Sequence, residues 1–126
     1  MFEDFELIHS YTRKQAIEDG VLVDVSETAK EAGIKYPTAV TSAVFEGYVR
    51  VPPGVAAQDE RGRLWDLLWL LRITIGRHKE AEGDTLLYTV FIRNDTTEPQ
   101  PVKFKAIVGP GDEGEPVITV MMIDED

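Results

Sequence analysis

The sequence contains no cysteine and only two histidines, His9 and His78. Without cysteine the chain cannot form disulfides, use a thiolate nucleophile, or hold zinc or iron–sulfur clusters through Cys ligands. The two histidines fall in different predicted elements, and the acidic turn around Asp112 lacks the ligand pattern of an EF-hand. We therefore expect no metal site, no cofactor and no catalytic residues.

Basic residues are also scarce. Lys and Arg number 13 against 23 Asp and Glu, which gives a formal net charge of −10. Direct binding of nucleic acid or of an anionic membrane surface requires clustered basic side chains, so this balance argues against both. The most apolar stretch, residues 64–75, is shorter than the roughly 20 residues that a membrane helix needs. The opening MFEDFELIHS does not have the pattern of a secretory signal. These features predict a cytoplasmic protein.

The chain nevertheless contains enough apolar sequence for a core. Its 126 residues, 43% of them hydrophobic, predict a single α+β domain over residues 1–126. The first third is predicted to hold short helices. One covers residues 13–19, with Ser10 or Thr12 as its N-cap, and a second covers residues 27–32, with Ser26 as its N-cap.

Two further helices are predicted in the middle of the chain. Pro37 is placed as the first residue of a helix that runs to about Tyr48. The longest helix is predicted over residues 60–79, with Asp59 as its N-cap. Leucines cover one face of this helix and its two tryptophans a neighbouring face, so most of its circumference is apolar. This predicts that one tryptophan lies in the core and the other at an oligomer interface.

After residue 83 the pattern changes to strands. Residues 85–93, 102–108 and 117–123 are rich in β-branched and aromatic side chains and are separated by turn residues. The predicted architecture is α+β. Short N-terminal helices and one long Trp-bearing helix pack on a C-terminal three-stranded antiparallel meander.

Three stretches carry a family resemblance: HSYTRKQAIEDGVLVDVSETAKEAG (residues 9–33), GRLWDLLWLL (residues 62–71) and GPGDEGEPVITVMMIDED (residues 109–126). Together they resemble a family of small uncharacterised bacterial proteins often encoded on plasmids and integrative elements. That family has no assigned activity. The resemblance therefore implies a bacterial accessory protein of a mobile element, and it implies a role for no particular residue.

One candidate binding site comes from polar and aromatic side chains near two helix starts. His9, Tyr11 and Arg13 form the densest polar cluster, and Arg61 and Trp65 stand at the start of the long helix. Arg and Trp together can bind anions or aromatic ligands, so these five residues are the candidate site of a small-molecule-binding domain or small enzyme. The alternative is structural: Ser10 or Thr12 caps a helix, Tyr11 packs, His9 hydrogen-bonds locally, and Trp65 and Trp69 are core or oligomer-interface residues.

The second candidate site is acidic. Residues 81–126 carry ten acids and three bases. The acids of the last turn and C-terminus form a candidate interaction surface: Asp112, Glu113, Glu115, Asp124, Glu125 and Asp126. Such a surface could imitate DNA phosphates and bind a basic, nucleic-acid-handling protein, whereas its simpler role is solubility.

The leading functional hypothesis is a non-enzymatic protein-interaction module, because no convincing catalytic constellation is present. Exposed edge strands also make a homodimer possible.

Overall fold

The computed structural model describes residues 11–56, 58–78, 84–95 and 97–125. Its helices are α1 (Arg13–Glu18), α2 (Ser26–Glu31), α3 (Ser42–Val44), which continues as a π-helical turn (Phe45–Val49), and α4 (Glu60–Arg77). Its strands are β1 (Leu22–Asp24), β2 (Thr38–Thr41), β3 (Thr85–Ile92), β4 (Gln100–Pro110) and β5 (Pro116–Met122). The α+β class predicted from the sequence is confirmed.

The predicted meander is part of a larger sheet. Strands β3, β4 and β5 pair antiparallel in that order, as expected. The sheet then continues through β2, which pairs parallel with β5, to β1, which pairs antiparallel with β2. The result is a five-stranded mixed sheet of order β1-β2-β5-β4-β3.

The predicted helix from Pro37 to Tyr48 is wrong in its first part. Residues 38–41 form β2, and the helical segment begins only at Ser42. Thr38, Ala39 and Val40 are almost completely buried, because the strand is enclosed on both faces. The apolar spacing fits a helix, but the short β-branched segment TAVT gains a full ladder with β5, a partner about 80 residues away that local pattern cannot reveal. Thr41 then caps α3 by accepting a hydrogen bond from the backbone N of Val44.

The N-terminal caps follow sequence expectation only in part. Thr12 caps α1 in a capping box, in which its hydroxyl accepts from Gln15 N and the Gln15 side chain accepts from Thr12 N. Ser26 does not cap α2, because it is the first helical residue and Val25 occupies the cap position. Its hydroxyl instead donates to Asp24 and accepts from the backbone N of Thr38, which links α2 to β2.

The core lies between α4 and the inner face of the sheet. Leu67, Leu68 and Leu71 are 0–2% exposed. Facing them are alternate residues of the strands, namely Leu86, Tyr88, Val90, Phe104, Ala106, Ile118 and Val120. The hydroxyl of Tyr88 donates to the backbone oxygen of Leu67 at 3.3 Å. Asp59 caps α4 as predicted, accepting from Gly62 N at 2.7 Å.

Candidate functional site

An open cleft of about 890 Å³ lies at the start of α4. One wall is the first two turns of α4, and another is the end of β3 from Val90 to Arg93. Both Arg61 and Trp65, which the sequence proposed as binding residues, line it. The cleft therefore combines guanidinium, aromatic and acidic groups, the last supplied by Glu31, Asp59 and Asp66.

Arg63 also lines this cleft but is held inside the structure. It is only 8% exposed, and its guanidinium donates to four acceptors: Tyr48 O at 2.9 Å, Gln58 Oε1 at 3.0 Å, Arg93 O at 3.1 Å and Asn94 Oδ1. Burial lowers the pKa of Arg63. All four acceptors are uncharged, and among the described residues no carboxylate forms an ion pair with it. Arg63 thus ties the π-helical turn, the loop before α4 and the end of β3 together.

Arg63 is not among the five residues that the sequence proposed for the binding site. The available signal was its position. A helix that is apolar on most of its circumference is covered by other segments on more than one side. A residue one turn after its N-cap is therefore placed to contact the segments that pack against the start of the helix. The sequence could not identify its acceptors, because three of them are backbone or amide oxygens of distant segments.

Trp65 and Trp69 stack on each other on the outside of α4. Their ring centroids are 5.9 Å apart and the ring planes are 11° from parallel. They are 38% and 45% exposed, so the prediction that one of them belongs to the core is wrong. The inner face of α4 is filled by leucines, which leaves both tryptophans on the outer side. Arg61, one turn before Trp65, is also exposed. We call Arg61, Trp65 and Trp69 the tryptophan face.

Tyr11 and Arg13 lie elsewhere and serve structural contacts. Arg13 donates from Nη1 to Thr119 Oγ1 and from Nη2 to Ile118 O, both at 2.7 Å. Desolvation lowers the pKa of Arg13, while nearby carboxylates act in the opposite direction. Tyr11, which is exposed, donates from its hydroxyl to Asp19 Oδ2 at 2.7 Å, and this hydrogen bond raises the pKa of Tyr11.

The five proposed binding residues therefore do not form one site. Arg61 and Trp65 line the cleft, Arg13 lines a separate cavity of about 250 Å³, and Tyr11 lines neither. His9 lies outside the described residues.

Three residues of the proposed acidic surface accept hydrogen bonds from the chain itself. Asp112 accepts from the backbone N of Arg13 at 2.7 Å and of Lys14 at 3.0 Å, which holds α1 against the β4–β5 turn. These two hydrogen bonds, the one from Arg13 first, lower the pKa of Asp112.

Glu115 folds back within its own turn, where its Oε1 accepts from the backbone N of Glu113. Glu125 Oε2 accepts from the hydroxyl of Thr41 and the backbone N of Met122, both at 2.8 Å.

Two of the remaining acids of the proposed surface have carboxylates that no other described group engages. Glu113 and Asp124 are exposed, and in the part of the chain that the structure describes their carboxylates have no hydrogen bond or ion pair. Asp126 lies outside the described residues. Of the five proposed acids that the structure describes, Glu113 and Asp124 are thus the two whose carboxylates are not engaged by the chain itself.

Comparison with known proteins places the whole chain in one family. A family model of unknown function, DUF6573, matches residues 1–126. The chain belongs to this family. No curated protein and no solved structure matches it.

Membership of DUF6573 assigns no chemistry to the chain. A function for the cleft, the tryptophan face or the acidic surface must therefore be inferred from their geometry. Among the described residues, no group of three or more His, Asp or Glu side chains is arranged to hold a metal ion. Within the same residues, none of the helices is long and apolar enough to cross a membrane.

Proposed function

We propose that the chain is a non-enzymatic protein-interaction module that binds its partner through the tryptophan face. The observation that carries the proposal is the exposed, stacked pair of Trp65 and Trp69 beside Arg61. Trp and Arg are the residue types most enriched among those that dominate binding energy at interfaces. Contiguous aromatic surface of this kind marks an interaction site more often than single exposed apolar residues do.

The cleft extends this face and suggests how a partner would engage it. Trp65 forms part of both, so a partner lying over the two tryptophans has a cavity into which an anchoring side chain can enter. Exposed arginines lie along the same helix, at Arg61, Arg72 and Arg77. They outnumber the two acids of the helix, Glu60 and Asp66, so α4 carries a net positive charge in a chain whose net charge is −10, which favours a partner with carboxylates near its aromatic contact.

A second form of the proposal is a DNA mimic that binds a basic, nucleic-acid-handling partner. It rests on the net charge of −10 and on the open carboxylates of Glu113 and Asp124. Asp112, Glu115 and Glu125 support it less, because their carboxylates accept hydrogen bonds from the chain itself. The motif resemblance suggests that either partner belongs to the bacterial cytoplasm and is met by an accessory protein of a plasmid or integrative element.

A small-ligand site is the alternative, and one observation favours it. The cleft brings Arg61 and Trp65 together in about 890 Å³, a volume in the usual range of ligand pockets. Titration with small aromatic carboxylates, followed by Trp fluorescence, tests this alternative. Saturable quenching that is lost in Arg61→Ala would support a ligand site, and unchanged fluorescence would count against it.

The partner proposal is tested by affinity capture from a bacterial lysate at low and at high salt. The wild-type chain is compared with Trp65→Ala/Trp69→Ala and with a matched surface control, Glu113→Gln/Asp124→Asn. We expect one protein to be captured by the wild type and the control, at both salt concentrations, and to be lost with the tryptophan variant.

The reverse pattern would favour the DNA mimic. In that case the captured protein is lost with the acid variant and at high salt, and duplex DNA competes for it. Equal capture by all three chains would overturn both forms. Far-UV circular dichroism of each variant verifies that it folds.

A further inference from the structure

Strand β3 is an edge of the sheet. Its neighbour on one side is β4, and no strand among the described residues pairs with its other side. The ladder shows which backbone groups face outward. Val108 N donates to Asp84 O, so residues 84 and 108 are a hydrogen-bonded pair, and the pairs alternate along the strand from there. The N–H and C=O groups of Leu87, Thr89 and Phe91 therefore point away from β4. The carbonyl of Arg93, next in this series, is consistent with this, since Arg63 reaches it from outside the sheet.

Within residues 85–92, the strand itself has none of the sequence features that usually prevent strand pairing. Edge strands are commonly protected by charged residues, proline or a bulge. Residues 85–92 contain no charge, no proline and no glycine in a chain that is 29% charged, and their register with β4 is continuous. Leu87 and Phe91 are 65% and 68% exposed, the largest values among the exposed large hydrophobic residues of the described chain.

We propose that a second copy of the chain pairs with this edge, antiparallel and centred on Thr89. A two-fold axis at Thr89 places it opposite its own counterpart and places Leu87 opposite Phe91 of the other copy. All three residues have outward-facing backbone groups, so the pairing forms about six backbone hydrogen bonds. The side chains match as well, because Thr–Thr is a favourable cross-strand pair and Leu87 and Phe91 remove apolar surface of each other from water. The two sheets join into one of ten strands.

The charge distribution permits this contact despite the acidity of the chain. On the outer face, Lys105 and Lys103 of β4 lie opposite Leu87 and Thr89. The open carboxylate of Glu113, in contrast, lies in the turn at the far end of β4. The strand itself is uncharged, so two copies meet without like charges at the contact. The symmetry of the Leu-x-Thr-x-Phe pattern about Thr89 is what selects a second copy over an unrelated extended segment.

The test uses charges placed on the proposed axis. A small interface predicts weak association, so the mass of the full chain is measured by light scattering over roughly 1–500 µM. The wild type is expected to become dimeric as concentration rises. Thr89→Lys and Thr89→Glu are each expected to stay monomeric, because the new charge meets an identical charge across the axis. An equimolar mixture of the two is expected to form a heterodimer, detected by native mass spectrometry.

Glu113→Gln is the matched control, since it alters the net charge by one, as Thr89→Lys does, but lies far from β3. It is expected to dimerise like the wild type. A monomeric wild type overturns the proposal. So does a dimer that persists in both Thr89 variants, which would locate the contact elsewhere, for instance on α4. A mixture of the two Thr89 variants that stays monomeric overturns the proposed register. A monomeric Glu113→Gln chain overturns the contact at Thr89, because the loss of the dimer would then follow the net charge and not the position of the new charge. Circular dichroism verifies folding of each variant. The proposal rests on β3 and not on the tryptophan face, but Phe91 belongs both to this edge and to the wall of the cleft, so the two contacts adjoin there.

Discussion

The guanidinium of Arg63 donates to the side-chain oxygen of Asn94, a residue 31 positions further along the chain. Asn94 in turn donates from Nδ2 to the backbone oxygen of Gly47 at 2.8 Å. The two side chains therefore connect α4, the end of β3 and the π-helical turn in one hydrogen-bonded network. Two of these segments, α4 and the end of β3, are also walls of the cleft, so the shape of the cleft depends on Arg63 even though the residue is buried.

We expect Arg63→Met to destabilise the fold by about 2–4 kcal/mol. The substitution removes the four hydrogen bonds of a buried guanidinium and leaves several acceptors without their partner. Arg61→Met is the matched control, because Arg61 is an exposed arginine of the same helix and its loss should alter stability by about 0.5 kcal/mol or less. Urea unfolding followed by circular dichroism measures both. Equal effects of the two variants would contradict the structural role of Arg63.

Gly33 and Gly47 provide a second contrast. Gly33, just after α2, has φ of +96°, and a Cβ there would lie 3.1 Å from Nε of Arg72. Gly47 has ordinary φ, and a Cβ added to it would meet nothing within 4 Å. Gly33→Ala should cost about 1 kcal/mol or more, from the left-handed backbone and the close contact. Gly47→Ala should be neutral or stabilising, since Ala favours helical backbone more than Gly does. Thermal melting distinguishes the two, and a stabilised Gly33→Ala would contradict the assignment.

The sequence predicted the elements whose signals are local. Asp59 was identified as a cap, and Thr12 was one of two candidates with Ser10, because an N-cap needs only its own side chain and the next few backbone groups. Strands β3 to β5 were found because they are rich in β-branched and aromatic side chains and are separated by turn residues. The failures involve distant partners. Residues 38–41 are a strand only because β5 lies beside them.

For the candidate sites, too, the sequence predicted what depends on local spacing and not what depends on distant partners. Arg61 and Trp65 stand one turn apart on one helix, so sequence spacing was enough to bring them together in the cleft. Arg13 looked available for a ligand, but its acceptors belong to β5, more than 100 residues away. Asp112 looked like part of an open acidic surface for the same reason. A residue's availability is decided by tertiary contacts, which a single sequence does not display.

Asp112 should contribute stability that depends on pH. Backbone hydrogen bonds from Arg13 and Lys14 hold its pKa below the ordinary value in the folded chain. A carboxyl with a lowered folded pKa stabilises the fold above its unfolded pKa of about 3.9 and loses that contribution as pH falls through the folded pKa. We expect Asp112→Asn to be less stable than the wild type at pH 7, with a difference that shrinks below about pH 4.

Urea unfolding at pH 7 and at acid pH measures this difference. Asp124→Asn is the control, because its carboxylate is exposed and makes no hydrogen bond or ion pair with other described residues; its effect on stability should be small at both pH values. A difference for Asp112→Asn that grows with acidity would contradict the assignment.

Tyr88 should govern the response to alkali. It is 8% exposed, and burial raises its pKa well above the ordinary value. A tyrosine whose pKa is raised by folding stabilises the neutral-pH fold fully below its unfolded pKa of about 10, and the contribution falls as pH rises above that value. The wild type should therefore lose stability between about pH 10 and pH 12.

Tyr88→Phe should cost about 0.5–1.5 kcal/mol at pH 7, through the lost hydrogen bond to Leu67. The same variant should lose less stability than the wild type when the pH is raised. The exposed Tyr36 supplies the control, Tyr36→Phe, which should leave the alkaline loss unchanged. If Tyr88→Phe and the wild type lost the same stability above pH 10, ionisation of Tyr88 would not be what limits the fold in alkali.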